Sequence, residues 1–234
     1  MILVLWDIDR TLLYVGDIDR LVYREVFESV VGREPEVLPR KGTGITMPLA
    51  VRELLLANSV PPDQVDEFTD RIVDLLPKRL GDHRDRLRTE GRLMPGAVAA
   101  LTAVQRSPQL VPSVVTGNLQ ESARIKLEAL GLVTYVDIEV GGYASDNPHR
   151  PALVSTAQRR AGRKCKHEFN RGNTVIIGDS LQDVRTGVEG GAHIIAVASG
   201  TTSAEHLAEA GADHVIADLT DVDLLLRLIA KVKA

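Results

Sequence analysis

The N-terminal stretch Met1–Leu12, which reads MILVLWDIDRTL, decides the fold class. It begins with a short apolar run, Ile2–Trp6, and acidic and hydroxyl side chains follow at once. A short run that is apolar throughout is typical of a strand buried on both faces of a parallel sheet. Further runs of this kind are Leu110–Val115, Thr174–Ile177 and His193–Val197, with a weaker one at Tyr135–Val140.

Helical patterns separate these runs. Apolar spacing and end signals predict helices that begin near Pro95, Asn118, Ser180, Ala204 and Asp221. Strands that alternate with helices at this spacing predict βαβ units. The expected fold class is therefore α/β, with a Rossmann-like parallel sheet as its core.

The alternation stops between residues 16 and 90. Three stretches there have helical spacing, at 17–31, 47–57 and 63–80, and none has a clear strand pattern. A structureless loop of this length is uncommon inside a compact domain. We therefore predict a helical cap domain at 16–90, inserted after the first strand, and an α/β core formed by 1–15 plus 91–234.

Composition excludes several classes of protein. The chain has 234 residues, a formal net charge of -4 and no basic stripe with interleaved aromatics, so we expect no nucleic-acid partner. Its single cysteine, Cys165, cannot form an intramolecular disulfide or a cysteine-based zinc cluster. The sequence has neither a signal-peptide pattern nor a stretch of membrane-spanning length. These features predict a cytoplasmic protein without a membrane partner.

Polar side chains follow three of the predicted strands. Ligands of open parallel sheets bind beyond the carboxyl ends of the strands, so these side chains are expected to meet. Carboxylates gathered there would repel each other, and a divalent cation would relieve that repulsion. Oxygen ligands favour Mg2+ over zinc, and Mg2+ suits phosphoryl chemistry. The residues concerned are Asp7 and Asp9, then Thr116, Gly117 and Asn118, and then Asp179 and Asp183.

Three motifs resemble those of the haloacid dehalogenase superfamily of hydrolases. They are Asp7–Leu12 (DIDRTL), Thr116 after an apolar strand, and Gly178–Asp183 (GDSLQD), and they occur in the family's order. The helical segment after the first strand resembles that family's cap, although only in general terms. The tail from Gly190 to Ile216 is similar to the phosphoglycolate phosphatase branch. The DxDxT and GDxxxD motifs are specific as a pair, whereas either alone would be weak.

The resemblance implies a role for each acid. Asp7 would be the nucleophile that forms an aspartyl phosphate, and Asp9 would be the general acid and then the base. Asp7, the backbone carbonyl of Asp9 and Asp179 would hold Mg2+. Asp183 would support the metal site or orient a cationic residue.

The resemblance also implies a phosphate-binding group. Thr116 would donate a hydrogen bond to the phosphoryl oxygens, and the backbone amides of Gly117 and Asn118 suit the same anion. The expected basic residue is Arg150, in Pro148–Pro151, because a guanidinium can clamp phosphate. Other basic candidates nearby are Arg159, Arg160 and Lys164.

The expected function is hydrolysis of a small phosphorylated metabolite. Asp9 argues against a dehalogenase, since a halide leaves without a proton. A phosphomutase remains open, as does a phosphonate hydrolase with Lys41 as Schiff-base nucleophile. A receiver-like phosphoacceptor module is a further alternative, although a switch would not need a cap.

Two details concern the substrate. Arg10 stands where the family usually has glycine, which places a cation near the mouth of the site. The segment Gly42–Gly44 is predicted to be a cap loop that could reach the substrate.

Overall fold

The computed structural model describes residues 1–39 and 44–232. Lys41, Gly42 and Thr43, to which the sequence assigns possible roles, lie outside the described residues.

A parallel sheet of six strands forms the centre of the fold, in the order β5-β4-β1-β6-β7-β8. A separate antiparallel ribbon is made by β2 and β3. The α/β class with a Rossmann-like core is therefore confirmed. The strands in the described residues are β1 (Ile2–Trp6), β2 (Leu13–Tyr14), β3 (Arg92–Leu93), β4 (Leu110–Thr116), β5 (Gly142–Tyr143), β6 (Thr174–Gly178), β7 (His193–Val197) and β8 (His214–Ile216).

The helices lie on both faces of this sheet and in the segment between β2 and β3. In the described residues they are α1 (Gly16–Val31), α2 (Met47–Ala57), α3 (Pro62–Asp82), α4 (Arg84–Glu90), α5 (Ala97–Arg106), α6 (Gln120–Ala129), α7 (Ala152–Cys165), α8 (Leu181–Gly190), α9 (Ala204–Glu209) and α10 (Val222–Lys231). Among these described helices, none combines the length and the apolar character needed to cross a bilayer.

The four strongest apolar runs are the four central strands. Strand β1 lies between β4 and β6 and pairs in parallel with both, with Leu3 opposite Val111 on one side and Thr174 on the other. Its residues Leu3–Trp6 are fully buried, as expected of a strand covered on both faces. This arrangement brings the carboxyl ends of β4, β1 and β6 side by side.

The strand predicted at Tyr135–Val140 is wrong. That segment forms two 3-10 turns, and the edge strand of the sheet is β5 instead. Pro112 of β4 accepts a hydrogen bond from the Asp137 amide at 2.9 Å, but proline has no N–H to return. A hydrogen-bonded ladder between this part of β4 and Tyr135–Val140 is therefore incomplete. On this side, β4 pairs with β5 through Val115 and Thr116.

Helices α1 to α4 occupy the segment predicted as a cap. Helices α1 and α2 pack on α3, while α3 and α4 contact α6 of the sheet layer. In α1, buried Val22, Val26 and Phe27 follow helical spacing, and Gly32 ends the helix with φ 83°. One apolar cluster continues from these helices to the sheet, so the division at residues 16 and 90 stays a prediction.

Candidate active site

One cavity of about 170 Å³ opens at the carboxyl ends of β4, β1 and β6. Its wall includes side chains from the strand ends and from the helical segment, which approach each other across it. The predicted site residues that line it are Asp7, Asp9, Thr116, Gly117, Asn118, Arg150 and Asp179.

Three of the four predicted metal residues form a compact acidic group. Asp7, Asp179 and Asp183 are buried, and one carboxylate oxygen from each lies within 4.8 Å of the others. The Asp9 carboxylate is not part of this group, because it is bonded to Asn118 and Lys126 instead. Any contribution of Asp9 to a metal would therefore come from its backbone carbonyl, which is the atom that the resemblance implies.

The acidic group carries excess negative charge. Burial raises the pKa of Asp7 well above its usual value, and Asp183 raises it further. Burial and Asp183 likewise raise the pKa of Asp179 to about 7. Arg150 opposes both shifts but supplies one positive charge against three carboxylates. A set of oxygen donors with this charge fits Mg2+.

Arg150 contacts two of the three carboxylates of this group and is only 4% exposed. Its Nη2 donates to Asp7 Oδ1 at 2.8 Å and also to Asp183 Oδ1, while Nη1 donates to the Gly44 carbonyl. Burial lowers the pKa of Arg150, but Asp183 and Asp7 more than offset that effect, so it stays charged. Of the four basic candidates, all within the described ranges, Arg150 is the one that lines the cavity.

Asp183 is held by the start of α8. Its Oδ2 accepts hydrogen bonds from the Ser180 amide at 2.9 Å and from Ser180 Oγ at 2.6 Å. Ser180 Oγ in turn accepts from the Asp183 amide, which completes a capping box. The same carboxylate accepts a hydrogen bond from Arg150 through Oδ1, so Asp183 links the start of α8 to the guanidinium group.

Close packing fixes Asp179. Thr11 Oγ1 donates to Asp179 Oδ1 at 3.0 Å, a contact that gives the threonine of the first motif a role that the sequence reasoning did not assign. A Cβ on Gly200 would overlap Asp179 Oδ2, so a larger residue there would have to displace the carboxylate or the loop after β7.

The residues after β4 connect the site to the helical segment. Thr116 Oγ1 accepts from Asn118 Nδ2 at 2.9 Å, and the Gly117 carbonyl accepts from the Met47 amide at 2.8 Å. A Cβ on Gly117 would lie 2.6 Å from the Ile45 carbonyl oxygen, so a larger residue at this position would clash with the backbone. Helix α6 begins at Gln120 rather than at Asn118, whose side chain turns inward and donates to Asp9 Oδ2 at 2.7 Å.

Sequence reasoning missed Lys126. This residue of α6 is 1% exposed, and its Nζ lies 2.9 Å from Asp9 Oδ1 and 2.8 Å from Asp19 Oδ2. Helical spacing could have indicated its burial, because Lys126 lies three residues after Ala123 and so on the buried face of α6.

The outer wall of the cavity is basic and aromatic. Arg10 has φ 65°, in the left-handed region that favours glycine, and its guanidinium lies 4.7 Å from the centre of the Tyr14 ring. Arg20 also lines the cavity and donates to the Pro39 carbonyl at 3.1 Å.

Comparison with known proteins agrees with the fold. Residues 148–222 match the family model described as HAD-hydrolase-like, a range that includes Arg150, Asp179 and Asp183. No curated protein matches the chain. A hydrolase structure from Pseudomonas syringae has a TM-score of 0.68 and 19% identity, and the alignment covers 100% of both chains.

Two further structures carry more specific descriptions. One is provisionally described as a phosphoglycolate phosphatase from Lactobacillus plantarum, with a TM-score of 0.66, 19% identity and coverage of 95% of this chain and 97% of that one. The other is provisionally described as a β-phosphoglucomutase from Thermotoga maritima, with a TM-score of 0.58, 19% identity and coverage of 97% and 99%. At these identities, the likeness shows the fold.

Both the matched sequence range and the shared architecture agree with the motifs at the strand ends. The predicted resemblance is therefore confirmed: residues 148–222 match the HAD-hydrolase-like family model, and the whole chain shares the fold of these solved structures.

Proposed function

We propose that this chain hydrolyses the phosphate monoester of a small metabolite through an aspartyl phosphate on Asp7. The observation that carries the proposal is the environment of the Asp7 carboxylate. It lines the cavity, accepts a hydrogen bond from buried Arg150 and lies within the acidic group that it forms with Asp179 and Asp183.

The first step transfers the phosphoryl group to the protein. A carboxylate oxygen of Asp7 forms a bond to phosphorus while the bond from phosphorus to the ester oxygen breaks. Arg150 stabilises the negative charge on the phosphoryl oxygens, and Thr116 donates a hydrogen bond to them. Asp9 gives a proton to the departing alkoxide, which leaves as an alcohol.

The second step releases phosphate. Asp9, now a carboxylate, takes a proton from a water molecule that attacks phosphorus. The bond between phosphorus and Asp7 breaks, which restores the Asp7 carboxylate. Asp9 is protonated again and can begin another cycle.

Mg2+ is the cation that this donor set suits. Asp7, Asp179 and the Asp9 carbonyl would hold it, with Asp183 in support through its hydrogen bonds to Arg150 and Ser180. When bound, it supplies positive charge to the phosphoryl oxygens.

Further features predicted from the sequence belong to this proposal. Helices α1 to α4 would act as a cap that limits access of bulk water, and the protein would work in the cytoplasm. A phosphomutase would use the same residues but return the phosphoryl group to a sugar. A phosphonate hydrolase would depend on Lys41, which lies outside the described residues.

The test is phosphate release from a panel of phosphorylated metabolites, with and without Mg2+. Wild-type protein should turn over at least one of them many times, lose activity in EDTA and regain it with Mg2+. Asp7→Asn should be inactive but folded, whereas Asp70→Asn, at an exposed position of α3, should match wild type. Activity of Asp7→Asn, or full activity in EDTA, would contradict the proposal.

A further inference from the structure

A buried lysine connects the proposed acid–base residue to the first helix of the helical segment. Lys126 belongs to α6, Asp9 follows β1, and Asp19 lies in the first turn of α1. The Lys126 Nζ lies 2.9 and 3.0 Å from the two Asp9 oxygens and 2.8 Å from Asp19 Oδ2. Three distant parts of the chain therefore meet at a single ammonium group.

This contact lies at the cavity rather than deep in the packing. Asp9, Asp19 and Lys126 all line the cavity wall, and the Asp9 side chain is 35% exposed. Burial of a lysine is costly unless carboxylates compensate, and two carboxylates do so here. An ion pair needed only for stability would not have to include the residue placed to protonate the leaving group.

The contacts on Asp9 fix its direction. Lys126 donates to both carboxylate oxygens, and Asn118 Nδ2 donates to Oδ2 at 2.7 Å. A short side chain that is one-third exposed would otherwise sample several rotamers. Acid–base catalysis depends on the distance and direction of the proton donor, so this restraint bears on the reaction itself.

Asp19 fixes the lysine in turn. Its Oδ2 lies on the α1 side of Lys126, so the ammonium is held between two carboxylates. The ammonium group therefore links the first turn of α1 directly to Asp9.

We propose that Lys126 is a positioning residue, anchored by Asp19, that holds the Asp9 carboxyl group in the direction needed to protonate the leaving oxygen. The inference rests on the proposed function and assigns a role within the same site. It predicts that loss of Lys126 impairs the step in which Asp9 acts as an acid.

The leaving group makes this testable. Phenyl phosphate and p-nitrophenyl phosphate are similar in shape, but p-nitrophenolate is a much weaker base and leaves with little help from an acid. The kcat/KM value reports events up to the first irreversible step, which includes departure of the phenol. Loss of the acid should therefore lower kcat/KM for phenyl phosphate far more than for p-nitrophenyl phosphate.

The experiment compares Lys126→Met with wild type on both substrates in Mg2+. A misplacement of a catalytic group by about 1 Å can lower the rate about 100-fold. We therefore expect kcat/KM for phenyl phosphate to fall at least about tenfold more than kcat/KM for p-nitrophenyl phosphate. Lys126→Arg should recover part of that difference, because a guanidinium can also bridge two carboxylates. Arg124→Met, on the same helix and paired with Glu121, is the matched control and should leave both values unchanged.

Equal losses on the two substrates would overturn the proposal, since they would indicate general damage or loss of charge. If Lys126→Met does not fold, Asp19→Asn is the variant that tests the proposal, because it leaves Lys126 and Asp9 in place. That variant should show a smaller loss with the same selectivity for phenyl phosphate, and an equal loss or none would contradict the anchor. If wild type hydrolyses neither aryl phosphate, the same comparison is made on two metabolites of the panel whose leaving alcohols differ in acidity, and failure on the whole panel counts against the proposed function.

Discussion

Replacement of Arg150 by methionine should destabilise the metal-free protein strongly. The guanidinium is 4% exposed and donates to Asp7, Asp183 and the Gly44 carbonyl. Methionine keeps much of the volume but leaves the acidic group without its buried cation. Breaking a buried ion pair in this way costs about 3–5 kcal/mol. At about 2–4 °C per kcal/mol for a chain of this size, the midpoint of thermal unfolding should fall by about 6–20 °C.

The assay is thermal and urea unfolding in EDTA, near pH 8. Arg159→Met is the control, since Arg159 is exposed on α7 and its stability effect should stay within about 0.5 kcal/mol. The loss from Arg150→Met should be smaller at lower pH, because Asp7 and Asp179 can take up protons there. Mg2+ should recover part of the loss, since it supplies positive charge to the same carboxylates.

One result would refute this reasoning. If Arg150→Met unfolds in EDTA at the temperature of wild type, the three carboxylates do not need the cation. The acidic group would then not depend on Arg150 for its stability, whatever the activity of the variant.

Three further predictions concern the same site. Asp9→Asn should lower kcat about 100- to 10,000-fold, as measured by phosphate release, and a loss below tenfold would remove its acid–base role. Gly200→Ala should weaken Mg2+ affinity, measured by calorimetry, because the new Cβ would overlap Asp179 Oδ2; unchanged affinity would show that the loop can move aside. In EDTA, wild-type stability should contain a contribution from Asp179 that falls as pH rises from about 4 to about 7. The folded chain binds more protons there than the unfolded chain, whose Asp pKa is 3.8. Asp179→Asn should lack this contribution in urea titrations, and identical pH profiles for the two proteins would contradict it.

The sequence predicted those parts of the fold that have a strong local pattern. Strands β1, β4, β6 and β7 are mainly apolar because helices cover both faces of the sheet. The ribbon of β2 and β3 has two residues in each strand, too few for any periodicity. Tyr135–Val140 had an apolar pattern but no partner ladder, since the missing N–H of Pro112 is a property of the neighbouring strand.

The candidate site divides in a similar way. The sequence predicted that Asp7, Thr116 and Asp179 meet, and all three line the cavity. Their positions depend only on the order and direction of the strands, whose carboxyl ends form the binding edge of the sheet. The bridge from Lys126 to Asp9 joins residues 117 positions apart, and it depends on the rotation of α6 about its axis. Sequence spacing does not specify that rotation, so the separation of Asp9 from the acidic group became visible only in three dimensions.

Capture of the phosphorylated protein tests whether Asp7 is the nucleophile. Wild type and Asp7→Asn would be mixed with p-nitrophenyl phosphate and Mg2+, quenched in acid within one turnover, and digested for mass spectrometry. We expect one added phosphoryl group on the wild-type peptide that contains Asp7, at the Asp7 side chain, and none on the variant. A phosphoryl group on another residue, or turnover at full rate with Asp7 never modified, would contradict it.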